Sequence, residues 1–219
     1  MLFRSHELKT PITSVLGFSE MLERGIPDEV QCKEIYRRIY IETKRMNRLI
    51  NDILTISKLE SGSVDDEPLS ETNVAEVAKE VVAALKPQTI EAMVTINLNC
   101  ENSTIKSKRS RIHELISNLV ENAIKYNVPN GTVDIYVESD KTRTIIVVSD
   151  TGIGIPATAQ NRIFERFYRV DSGRGKSVGG TGLGLSIVKH IVLNMGGEID
   201  IESVVDKGTK IIVKLPVLV

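Results

Sequence analysis

The chain has 219 residues, of which 41% are hydrophobic, giving about ninety apolar side chains, enough for a substantial core and too many for a disordered tail. Its 28 Lys and Arg nearly balance 29 Asp and Glu, so no bulk electrostatic attraction to nucleic acid or an anionic membrane is expected. Trp is absent and aromatics make up 4%, which disfavours base-stacking platforms, and no apolar run approaches the roughly 18–20 residues that span a bilayer.

The amino terminus, Met1 to His6, has no signal-peptide core. Cys32 and Cys100 lie far apart without a CxxC or Cys/His cluster, which argues against a zinc site or a disulfide framework and fits a reducing, cytoplasmic compartment.

In chain order, Leu8, Ile12, Val15, Phe18 and Leu22 step by three or four, an apolar helical stripe. Gly25-Ile26-Pro27-Asp28 breaks it, with Asp28 as an N-cap. A second helix then carries Ile35, Ile39, Met46, Leu49, Ile53 and Ile56 at heptad-like spacing, with Glu42 in the skipped seam position. A polar residue there either fixes register or, more commonly, tilts out to solvent. Two antiparallel helices with one stripe each cannot bury it alone, so a homodimer closing a four-helix bundle is expected. Residues 1–62 form this unit, and the small, polar and acidic stretch over 63–70 reads as a linker.

Residues 71–219 change texture. Val74 to Met93 is helical, Val94 to Cys100 alternates like a strand, and Arg109 to Tyr126 is helical again. Val133 to Val137 and Ile145 to Val148 follow as strands about a turn at Asp140 to Arg143. After a long Gly-rich stretch, a helix over Leu183 to Met195 precedes strands at Glu198 to Ser203 and Lys210 to Leu215. Helices and hairpins in this order imply an α+β chain whose second part is a two-layer α/β sandwich with one sheet face covered. Neither a Rossmann GxGxxG between strand and helix nor a P-loop is present.

Three segments carry chemistry. In Asn118 to Asn127 (NLVENAIKYN), Asn118, Asn122 and Lys125 share one helical face; an amide oxygen is a hard ligand suited to Mg2+ and an ammonium complements phosphate, although a solvated polar face reads the same way. Asp150 to Pro156 (DTGIGIP) follows an apolar strand, where a carboxylate can accept from an exocyclic amine and the alternate glycines admit a ring or phosphate to the backbone. Gly179 to Ser186 (GGTGLGLS) leads into a helix and supplies free N–H groups at the positive end of a helix dipole. Between the last two, Ile163 to Arg169 (IFERFYR) and the polar residues 171–177 have the size and composition of a lid, or of an Ω-loop.

These segments, in this order, resemble the ATP-binding domain of sensor histidine kinases, the Bergerat fold shared with Hsp90, DNA gyrase and mismatch-repair ATPases. They correspond to its N-box, first glycine box, F-box and second glycine box. Ser5 to Pro11 (SHELKTP) is similar to the phospho-acceptor motif of the commonest histidine-kinase dimerisation domain, with Lys9 where Arg is more frequent. The resemblance implies an autokinase that uses ATP and Mg2+ to phosphorylate His6. Glu7 would hold the other ring nitrogen, and Thr10 would position a water for dephosphorylating the partner. It implies transfer to an aspartate of a response-regulator receiver domain, and phosphatase activity on that partner. Asn122 is implied as the Mg2+ ligand with Asn118 in support, Lys125 and Arg169 on phosphates, Asp150 on the adenine amine and Tyr126 beside the nucleotide. Gly152, Gly154, Gly180, Thr181, Gly182, Leu183 and Gly184 are implied to shape pocket and hinges, with Phe164 and Phe167 anchoring the lid. Pro11 removes an N–H in the first helix, so a bend just past His6 is expected. The family usually has a helix upstream of its His, so a sensor segment, in many members membrane-anchored, is expected ahead of this chain. A non-catalytic dimeric scaffold, and an ATPase of the Hsp90 and gyrase type with Glu121 activating water, are the competing readings.

Overall fold

The computed structural model describes residues 3–61, 67–140, 142–170 and 180–217, and of residues 3–7 the backbone alone. Residues 171–177 of the expected lid and residues 63–66 of the expected linker lie outside the described residues.

Helix α1 runs Phe3–Glu23 and α2 runs Glu29–Ser61. Gly25, at φ +63°, makes the reversal, and Asp28 Oδ1 accepts from Gln31 N at 2.8 Å while Gln31 Oε1 accepts from Asp28 N at 3.1 Å, a reciprocal capping box. The α1 stripe is shifted from expectation: Pro11 is buried and Ile12 is exposed, while Leu8, Val15, Phe18 and Leu22 are half-buried. On α2, Ile35, Leu49, Ile56 and Leu59 are buried. Glu42 does not tilt out. It is half-buried with Oε2 4.0 Å from Arg45 Nη1, because the i, i+3 guanidinium gives the carboxylate a local partner along the seam.

The second part begins with β1, Ser70–Asn73, then α3, Val74–Ala92, β2, Thr95–Cys100, β3, Thr104–Ser107, and α4, Arg109–Lys125. It continues with β4, Thr132–Ser139, β5, Arg143–Asp150, the single turn α5, Ala157–Gln160, then α6, Gly184–Asn194, β6, Glu198–Val204, and β7, Gly208–Pro216. β1 starts inside the stretch read as linker and pairs antiparallel with β3; neither strand, nor α5, is marked by the sequence pattern. Asn73 Oδ1 caps α3 by accepting from Ala75 N and Glu76 N at 3.1 and 3.3 Å. Lys108 gives α4 no side-chain cap, and Glu67 supplies one from a distance, accepting from Ser110 N at 3.1 Å and from the Ser110 hydroxyl.

Five strands form a sheet in the order β2-β4-β5-β7-β6. All its pairings are antiparallel except β2 with β4, which is parallel because β3 and α4 intervene in the chain and α4 carries it back across one face. That face is apolar: Val133, Ile135 and Val137 of β4, Ile146 and Val148 of β5, and Ile211, Val213 and Leu215 of β7 are buried against Ile112, Leu119 and Ile116 of α4 and Ile187 and Ile191 of α6. The other face is partly open, with Tyr136 exposed, so the layers number two. The hairpin joins the same core through Leu49, Ile56 and Leu59, with Leu8 and Ile53 packed against it. Among the described residues no helix is long and apolar enough to cross a membrane.

Candidate functional site

A cavity of about 780 Å³ opens between α4, the end of β5, the residues that follow it, and the start of α6, a size suited to a small-molecule ligand. Asn118, Asn122, Lys125 and Tyr126 line it from α4 and its C-terminal cap, Asp150 and Gly154 from the β5 end, Arg169 from the segment before residue 171, and Gly180, Thr181, Gly182 and Gly184 from the loop into α6. Its apolar wall includes Ile124, Val148, Ile153, Ile163 and Ile211.

Asp150 ends β5 on that wall. Its Oδ1 accepts from Gly152 N at 2.8 Å and from Thr209 N at 3.2 Å, yet burial outweighs these bonds and pushes its carboxyl up to about 6. Gly152 itself does not line the cavity. A Cβ there would sit 2.2 Å from the Tyr126 carbonyl oxygen, so this glycine lets the β5 end close onto the C-terminus of α4, where Ile153 N also donates to Tyr126 O at 3.1 Å. Gly154, at φ +65°, does the same against the β6–β7 turn, with Val204 O 2.0 Å from a would-be Cβ.

The polar groups of α4 face the glycine loop. Lys125 Nζ lies 5.0 Å from the Tyr126 ring centroid; burial, then the Arg169 and Arg48 charges, lowers its pKa to about 8 against the opposing pull of Glu121. Burial likewise raises the Tyr126 phenol. Asn118 Nδ2 donates to Glu114 O at 2.8 Å, which turns Oδ1 toward the glycine loop: a Cβ on Gly184 would meet that oxygen at 2.7 Å and Asn122 Nδ2 at 3.7 Å. A Cβ on Gly180 would meet Lys125 Nζ at 2.2 Å, and Arg169 Nη1 donates to Gly180 O at 3.4 Å. Among the described residues no side chain caps α6, and its first N–H groups, at Gly184 and Leu185, border the cavity at the positive end of the dipole.

Leu183 is fully buried and does not line the cavity; it anchors the loop in the core, its N–H donating to Thr181 Oγ1 at 3.3 Å. Phe167 adopts φ +62° and its backbone packs on Gly182, donating from N to Gly182 O at 2.9 Å, while Phe164 lies under Lys189 at 6.0 Å. His6 and Glu7 sit in the first turns of α1 with their side chains outside the described residues, and Thr10 is exposed one turn on and does not line the cavity.

The cavity also has walls unmarked by the sequence motifs. Arg48 and Asp52 reach it from α2, Gln88 and Glu91 from α3, and Thr209 from β7. Thr209 is placed by register, opposite Asp150 across β5 and β7. Asp52 and Arg48 are one turn apart on the polar side of α2, and spacing alone says nothing about what such a side faces.

The family model described as histidine kinase-, DNA gyrase B- and HSP90-like ATPases matches residues 107–219, and that of the His kinase A phospho-acceptor domain matches residues 5–62. The sensor protein SrrB of Staphylococcus aureus is 34% identical over 97% of this chain, which spans 36% of that relative's length. In fold the chain is similar to the Acinetobacter baumannii histidine kinase AdeS, with a TM-score of 0.77 at 24% identity over 97% of this chain and 98% of that one. It is also similar to histidine kinase ThkA solved in complex with the response regulator protein TrrA, with a TM-score of 0.75 at 25% identity over 98% of this chain and 60% of that one. Full-length ShkA, solved in complex with AMPPNP, gives 0.73 at 26% identity over 97% of this chain and 44% of that one. A phospho-acceptor hairpin joined to an ATPase module of this fold, with 34% identity to a sensor protein along nearly its whole length, places the chain in the sensor histidine kinase family.

Proposed function

We propose that this chain is the catalytic core of a two-component system: it binds Mg-ATP in the cavity, phosphorylates His6, and passes the phosphoryl group to an aspartate of a response regulator. Residues 1–62 serve as the dimerisation and phospho-acceptor unit and residues 71–219 as the ATP-binding unit. The observation that carries the reading is the polarity of the cavity. A buried carboxylate stands at the end of β5 beside an apolar wall, and the two α4 amides, the Lys125 ammonium and the N-terminus of α6 meet at the glycine loop. A flat base with an exocyclic amine and a polyphosphate tail has that same polarity. The complexes of ShkA with AMPPNP and of ThkA with TrrA support the two ligands proposed.

Asp150 accepts from the adenine amine while Ile153 and Ile211 cover the ring. Lys125, Arg169 and the α6 N-terminus hold the phosphates. The donor set fits Mg2+ in its usual protein setting: no group of three His, Cys, Asp or Glu forms a cage among the described residues, and an Asn122 carboxamide oxygen with phosphate oxygens and water suffices for a cation that keeps much of its hydration. Bound there, Mg2+ would neutralise charge on the phosphates as it builds during transfer.

The hairpin register supports His6 as acceptor. Phe18 faces Arg38 across the two helices, and twelve residues along each of these antiparallel helices set His6 level with Ile50, between Arg48 and Asp52, which line the cavity. A neutral imidazole nitrogen of His6 attacks the γ-phosphorus, an N–P bond forms as the bond to the ADP oxygen breaks, and Glu7 stabilises the charge on the second ring nitrogen. Thr10, one turn along, positions a water that hydrolyses the regulator's phospho-aspartate to the carboxylate and inorganic phosphate, a phosphatase activity that opposes the transfer. Glu121 is engaged by Arg48 at 2.5 Å, which disfavours the reading in which it activates water.

The test is incubation of the chain and a His6→Gln variant with γ-labelled Mg-ATP, followed by acid and alkali treatment. Acid-labile, alkali-stable label absent from the variant is expected; ATP binding without label would leave the scaffold reading in its place.

A further inference from the structure

The contacts between α2 and the ATP-binding unit converge on the parts of the cavity where the proposed phosphates lie. Thr181 Oγ1, in the glycine loop, donates to Asp52 Oδ2 at 2.8 Å. One turn earlier, Arg48 Nη2 donates to Glu121 Oε2 at 2.5 Å, and Glu121 adjoins Asn122. Farther along α2, Arg166 is paired with Glu60, and Asn194 Nδ2 donates to Leu59 O at 2.9 Å. The last two contacts lie beyond the cavity lining; the first two line it.

The Asp52 carboxylate is poorly placed for a negatively charged ligand. It is half-buried, and Glu114 and Glu121 lie near enough to oppose its charge, while Arg48, which acts in its favour, is already engaged by Glu121. Thr181 stands between Gly180, which packs on Lys125 Nζ, and the Gly182–Gly184 turn, which packs on Asn118. Any anion held by Lys125 and the α6 N-terminus therefore shares the loop with Asp52.

We propose that Asp52 is a positioning residue that clamps the hairpin to the glycine loop and opposes the triphosphate tail, so that binding of the tail releases α2 from Thr181. The inference rests on the nucleotide reading of the cavity and adds to it a cost, set by a residue of the phospho-acceptor hairpin, that phosphates incur and the base does not. Arg48 acts in the opposite sense, since freeing it from Glu121 gives a cation to the same end of the cavity.

The test compares ATP with adenosine by calorimetric titration of the full chain and of Asp52→Asn. Asparagine keeps an oxygen that accepts from Thr181 and removes only the charge. The expected result is ATP affinity raised about 3- to 10-fold, the scale of one like charge removed at short range in a partly solvated site, with adenosine affinity unchanged within about twofold. Hydrogen exchange on the unaltered chain gives a second readout that needs no variant: ATP should speed exchange over α2 between Arg48 and Leu59, and adenosine should not. Equal gains for ATP and adenosine, unchanged ATP affinity, or exchange over α2 that ATP leaves alone would overturn the clamp while the nucleotide site stands. Failure of the unaltered chain to bind either molecule would overturn both.

Discussion

Asp150 carries a carboxylate where the fold resists charge, and its consequences can be measured one residue at a time. In the free chain it takes up a proton below about 6, losing the acceptor proposed for the adenine amine, while Lys125 loses its positive charge above about 8. ATP affinity is therefore expected to peak between these values, falling up to about tenfold per pH unit on either side. Adenosine, which meets only Asp150, should show the acid limb alone. The sign for stability follows from the same shift. A carboxyl raised above its ordinary value binds its proton more tightly when folded, so the fold's penalty for the charge is absent below about 4, grows as pH rises, and is complete above about 6. Asp150→Asn should thus melt higher than the unaltered chain at pH 8, with the difference closing toward pH 4, and should bind adenosine at least tenfold more weakly at pH 8, that difference also closing toward pH 4. Thermal scans and titrations at three pH values check both.

At the scale of elements, the turns that build the cavity separate stability from binding. Gly208, at φ +109°, opens β7 with its would-be Cβ 1.9 Å from Asp150 O. Gly208→Ala must move backbone and should lose about 1–3 kcal/mol in urea unfolding. Gly180 has as its near neighbour only the end of the Lys125 side chain, which can swing away. Gly180→Ala should stay within about 0.5 kcal/mol in stability while weakening ATP severalfold and leaving adenosine alone. The same scale shows what the amino-acid sequence makes legible. α3, α4 and α6 read out within a residue or two because each buries a stripe of period 3.6 in the core, and the first glycine segment reads out because close backbone approaches at Gly152 and Gly154 leave room for no other residue. β1 and β3 are hidden, since four residues hold too few alternations and they pair only with each other across thirty residues of chain. The parallel pairing of β2 with β4 is equally hidden, because alternation marks a strand and not its neighbour. Arg48 and Asp52 escape for a related reason: they contact Glu121 and Thr181, 73 and 129 residues away, and a polar helix face looks the same whether it meets water or a binding site.

For the whole molecule, the hairpin in a single copy leaves apolar surface uncovered. Ile12 and Leu16 on α1 are 48% and 57% exposed, and Ile50 and Leu54 on α2 are 45% and 53% exposed. Four large aliphatic side chains along one hairpin are the kind of face that an isologous partner buries, each contributing about 1.5–3 kcal/mol when fully withdrawn from water. At 100° per residue, Ile50 and Leu54 lie on the side of α2 opposite Asp52, so the face that docks on the ATP-binding unit and the face left for a second copy are distinct. The double substitution Ile50→Lys with Leu54→Lys is therefore expected to convert a dimer to a monomer in sedimentation equilibrium while leaving adenosine affinity unchanged, because Asp150 and the apolar wall belong to the other unit. A chain that sediments as a monomer before the substitution, or as a dimer after it, would show that this face is not the dimer seam. The tail-dependent part of ATP affinity should be unchanged as well, since Arg48 and Asp52 keep their partners, and a gain in the monomer would mean that α2 of the second copy, and not α2 of the same chain, holds the glycine loop.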